Sequence, residues 1–108
     1  MQPFVIRRFP FPEQAARLAN GMTIQRKSYC VIMINSKTTK EQQAATLRHE
    51  LAHIALNHFF DTTHSEDEIE EAANNYAAQM TEERFRDLMQ HELKWKGRIS
   101  SKKKGVQE

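Results

Sequence analysis

Five consecutive residues, His49-Glu50-Leu51-Ala52-His53, set two imidazoles and a carboxylate at a spacing that carries chemistry. Residues four apart in a helix lie one turn apart on nearly the same face, so His49 and His53 project in one direction. Two such nitrogens can bind a single Zn²⁺ at about 2.0–2.1 Å each. Glu50 falls about 100° from His49 and about 60° from His53 on a helical wheel. From that flank its carboxylate can take a proton from a zinc-activated water and later deliver one to a leaving amine, without ligating the ion. Neutral imidazoles keep the ion a strong Lewis acid, and the carboxylate supplies the base. The wheel argues against a helix whose histidines merely face water. Ala44, Leu47, Leu51, Ile54 and Ala55 form one apolar face, while Ala45, Ala52 and Leu56 beside the histidines make the other side partly apolar too.

A catalytic zinc takes three protein ligands and leaves a fourth position open. His58 lies five residues past His53, about 140° round a continuing helix, and so is expected to point toward the apolar face. Phe59 occupies the place six residues after His53 where a metzincin carries its third histidine. The better candidate lies in EIEEAANNYAAQM, where Ile69, Ala72, Ala73, Tyr76 and Met80 follow a helical core stripe. Glu70 sits on the flank of that stripe, in line with the small Ala77, and Glu71 points to solvent. Glu70 is therefore the expected third ligand, although Glu66 and Glu68 also lie near the flanks.

These groups must be held by secondary structure. Residues 1–12 read as extended, because three prolines remove backbone donors. Residues 13–20 read as a short helix closed by Gly21. Residues 22–26 and 29–35 are strand candidates, with Lys27-Ser28 permitting a hairpin between them. Thr38-x-x-Glu41 and Thr39-x-x-Gln42 fit the start of a helix over about 40–59. Ser65-x-x-Glu68 starts another, running to about Met80, with acids crowding its positive end. Thr81 can cap a fourth, with Phe85, Leu88, Met89 and Trp95 near one side. The pattern predicts an α+β fold: a small antiparallel or mixed sheet packed on the helix that carries HELAH and on a following glutamate-bearing helix, with a C-terminal helix.

With 108 residues, one domain over 1–96 is expected, followed by a basic, disordered tail over 97–108. The net charge of +2 is too small to imply a nucleic-acid partner. Cys30, the only cysteine, lies in an apolar run and reads as a buried thiol. No signal peptide and no membrane-length apolar run is visible, which points to the cytoplasm.

The order of a strand ending in VIMIN, then TLRHELAHIALNH, an acidic loop and EIEEAANNYAAQM resembles the ImmA/IrrE family of zinc metallopeptidases. The resemblance spans about residues 29–80. It implies a minimal zincin-like domain with His49, His53 and Glu70 as zinc ligands and Glu50 as catalytic base, with Asn74 supporting the ligands from the same helix. Ala52 and Tyr76 depart from the glycine and phenylalanine usual in the pattern. The resemblance also implies an extended peptide added to a strand edge beside the metal, for which 29–35 is the candidate, and a DNA-binding repressor as the protein substrate. His64, Tyr76 and His91 are the candidates to steady an oxyanion. A zinc-stabilised module that docks a partner without cutting it is the alternative reading.

Overall fold

The computed structural model describes residues 1–94. Trp95 and the tail expected over 97–108 lie outside the described residues. Strand β1, Phe4–Phe9, is followed by a short helix α1, Glu13–Leu18, then β2, Gly21–Gln25, and β3, Cys30–Asn35. Pro3 and Pro10 bracket β1, so neither removes a donor from the ladder it bounds. The two-residue turn at Lys27-Ser28 closes the β2–β3 hairpin, with Arg26 N–H bonded to Tyr29 O at 2.8 Å.

The sheet runs β1-β3-β2, with β1 parallel and β2 antiparallel to β3. The residues expected to form a free edge, 29–35, are therefore its centre. The apolar run explains the difference: Cys30, Ile32 and Ile34 are buried on one face, and Val31 and Met33 are partly covered on the other. A strand covered on both faces belongs between two others.

Helix α2, Lys40–Ala55, packs on this sheet through Leu47, Leu51 and Ile54. Thr39 caps it by accepting the Gln42 N–H at 3.0 Å. The helix stops about one turn before residue 59. Asn57 adopts the left-handed conformation, φ 60°, which asparagine tolerates better than most residues. A 3₁₀ turn, His58–Phe60, follows. Helix α3, Glu66–Ala78, starts with the full Ser65–Glu68 capping box and runs beside α2, and Thr81 caps α4, Glu82–Met89. After α4 the chain returns to the outer side of β1, where Leu93 N–H bonds Phe4 O at 2.7 Å and Phe4 N–H bonds His91 O at 3.2 Å. That edge is partly capped, while β2 has no partner on its outer side among the described residues.

Gly21 does not close α1, which ends at Leu18 with Ala19 already extended. It opens β2 instead. A Cβ there would collide with Thr46 Cγ2 and lie 3.6 Å from Glu50 Cγ, so glycine lets β2 approach α2 closely.

Candidate metal centre

His49 and His53 leave α2 one turn apart, and their Nε2 atoms lie 3.1 Å from each other. Glu70 arrives from the first half of α3, with Oε1 3.2 Å from His49 Nε2 and Oε2 3.0 Å from His53 Nε2. The approach of the helices depends on small residues at their contact: Ala52 on α2 and Ala73 on α3 are both fully buried. Of the nearby acids, Glu68 is committed to its capping box, accepting Ser65 N–H at 2.8 Å. Glu66 is not among the converging groups, which are His49, His53 and Glu70.

This donor set fits a divalent metal. Ligands about 2.0–2.1 Å from a tetrahedral ion stand about 3.3–3.4 Å apart, close to the 3.0–3.2 Å separations here. Two imidazole lone pairs and a carboxylate at this range repel one another without a cation or proton among them. Burial pushes the His53 pKa down against the opposing pull of Glu70, and so favours the neutral ring that a metal requires.

Glu50 sits beside this cluster, 7% exposed. Thr23 on β2 donates its hydroxyl to Glu50 Oε1 at 2.7 Å. Burial raises the Glu50 pKa; the Thr23 bond and nearby His49 pull it back, and Glu70 adds to the rise. A buried carboxylate with one oxygen fixed and its pKa raised above the ordinary range is a better proton acceptor than a solvated one.

The groups open into a cleft of about 660 Å³ between β2, α2 and α3. Gly21, Met22 and Thr23 form one wall, and Phe59, Ile69 and Asn74 contribute to the other side. Asn74 lies one turn beyond Glu70 and makes no hydrogen bond to the three converging residues among the described ones.

His58 departs from its expected position. The left-handed Asn57 turns the chain back, and His58 lines the cleft with Nδ1 2.9 Å from His53 Nδ1. The helical-wheel position of His58 holds only for a helix that continues past Leu56, and Asn57, a residue type that tolerates the left-handed conformation, ends it. Thr23 was also missed, because its partner lies 27 residues away and no local pattern links them.

None of the three oxyanion candidates lines the cleft. The Tyr76 hydroxyl accepts from Arg84 Nε at 3.0 Å, and exposed His64 pairs with Asp61 at 2.7 Å. His91 lies beyond α4, near β1.

The family model of the IrrE N-terminal-like domain, a peptidase family, matches residues 4–102. No curated protein and no solved structure matches the chain.

Proposed function

The chain belongs to the IrrE N-terminal-like peptidase family, and from that premise we propose that it is a zinc-dependent endopeptidase acting on a regulatory protein. The observation that carries this reading is the convergence of His49, His53 and Glu70, with Glu50 buried at their side. Two imidazoles and one carboxylate suit zinc better than magnesium or calcium, which prefer all-oxygen sites. A zinc ion held there would act as a Lewis acid, making water a stronger nucleophile and a carbonyl more electrophilic.

The protein's own residues supply the rest. Thr23 holds Oε1 of Glu50, leaving Oε2 to accept the proton of the attacking water. As the new C–O bond forms and the C–N bond breaks, Glu50 passes that proton to the departing amine. The substrate chain is proposed to lie along the open outer side of β2, whose first residues border the cleft. The opposite edge of the sheet is less suited, because residues 91–93 cover its start.

A DNA-binding repressor is the proposed substrate class, by analogy with the ImmA/IrrE family that the sequence resembles. Among the described residues, no helix is long and apolar enough to cross a membrane. A soluble repressor in the cytoplasm is the proposed setting.

The test is cleavage of a proteome-derived peptide library, read by mass spectrometry, with zinc-loaded wild type and Glu50→Gln. Cleavage by wild type and its loss in a variant that still holds zinc is the expected outcome. Equal product from both proteins would overturn the assigned base.

A further inference from the structure

His53 is buried, 8% exposed, and both its ring nitrogens are engaged. Nε2 faces His49 and Glu70, and Nδ1 faces His58 Nδ1 at 2.9 Å. An imidazole that offers Nε2 to a cation must carry its proton on Nδ1, and that proton needs an acceptor. The ring planes are turned 65° from each other with centroids 5.1 Å apart. A 2.9 Å Nδ1–Nδ1 separation at that distance puts both nitrogens near the line between the rings, so His58 can present an in-plane lone pair. His49 differs, because its Nδ1 has no hydrogen bond among the described residues. A non-glycine residue at positive φ, Asn57, makes the turn that brings His58 back to this position.

We infer that His58 is a positioning residue for the metal centre: its Nδ1 accepts the Nδ1–H of His53 and thereby fixes the tautomer and ring angle that leave Nε2 free for the cation. Carboxylates and backbone carbonyls commonly hold a ligand histidine in this way, and here an imidazole takes their place. The assignment makes His58 neutral, with its own proton on Nε2. Losing a partner of this kind typically weakens metal binding about 10–100-fold.

The inference rests on the metal reading of the site, and one titration separates the two. Zinc affinity is measured by chelator competition for the full chain and for His58→Phe and His58→Asn. Metal-free melting temperatures are recorded alongside. Phenylalanine keeps the packed ring without the acceptor, while asparagine can place Oδ1 where His58 Nδ1 lies. The expected result is zinc binding about 10–100-fold weaker in His58→Phe and largely restored in His58→Asn. A slowly exchanging His53 Nδ1–H resonance is expected in zinc-loaded wild type and His58→Asn, and its loss in His58→Phe. Wild type that binds no zinc would overturn the metal reading along with this inference. Zinc binding by His58→Phe within twofold of wild type, or equal weakening in both variants, would overturn the role of His58 alone.

Discussion

Helices α2 and α3 each contribute to one site, but they are held very differently. In α2, Thr46, Leu47, Glu50, Leu51, Ala52, His53 and Ile54 are all buried, so its site residues share a helix with the core. In α3 only Ala73 is buried, and the Glu70 side chain is 57% exposed. One half of the site is thus set deep in the core, whereas the other rests on a shallower contact made by buried Ala73 and half-buried Ile69 and Tyr76. A cation shared by both would fasten α3 to α2, so the site contributes to the fold as well as the reverse.

The largest expected effect follows from removing His53, the buried histidine of the proposed metal centre. His53→Ala is expected to weaken zinc binding on the order of 10³-fold or more and to abolish cleavage, as measured by chelator competition and peptide hydrolysis. Glu50→Gln is expected to lower the rate about 10²–10⁴-fold while zinc stays bound. It should also raise the metal-free melting temperature by a few degrees, because an amide can keep the Thr23 bond without burying a charge. That gain has a definite sign with pH. The folded pKa of Glu50 is raised, so its carboxyl is least costly when protonated, and the gap between variant and wild type narrows as pH falls.

The contrast between the helices is sharpened by two substitutions read on the metal-free protein. Leu51→Ala, in the fully buried face of α2, is expected to cost about 2–5 kcal/mol in denaturant unfolding. Glu70→Gln, largely exposed on α3, is expected to change it by less than about 0.5 kcal/mol, yet to weaken zinc binding strongly. Chelation of zinc should accordingly speed amide exchange in α3 more than in α2.

The smallest effect lies in the loop between the helices. There Asp61 accepts the Thr63 and His64 backbone N–H groups and the His64 ring, which holds its carboxyl well below the usual range. The same contact raises the His64 pKa. The stabilisation from charged His64 is therefore present below its unfolded value of about 6.5 and is lost as pH rises through the higher folded value. An NMR titration is expected to show Asp61→Asn moving the His64 midpoint back down.

The parts of this protein legible in sequence were those fixed by local spacing. The histidine pair on α2, the capping boxes and the core stripe of α3 each depend on residues within one or two turns. Helical spacing favoured Glu70 but left Glu66 and Glu68 open, and the packing of α3 on α2 brings Glu70 to the two histidines. Features set by distant packing were not readable. The apolar run 30–34 suggested a strand, but only its pairing on both sides made it central. Gly21 seemed a helix terminator, while its task is to let β2 reach Thr46 and Glu50. His58 was misplaced because one backbone dihedral, at Asn57, redirects everything after α2.

Zinc stoichiometry, measured by elemental analysis on purified wild type and Glu70→Ala after dialysis against trace metal, tests the shared centre most directly. About one ion per chain in wild type, and close to none in Glu70→Ala, is the expected result. Wild type that retains no zinc, or Glu70→Ala that retains as much as wild type, would contradict the convergence of two helices on one cation.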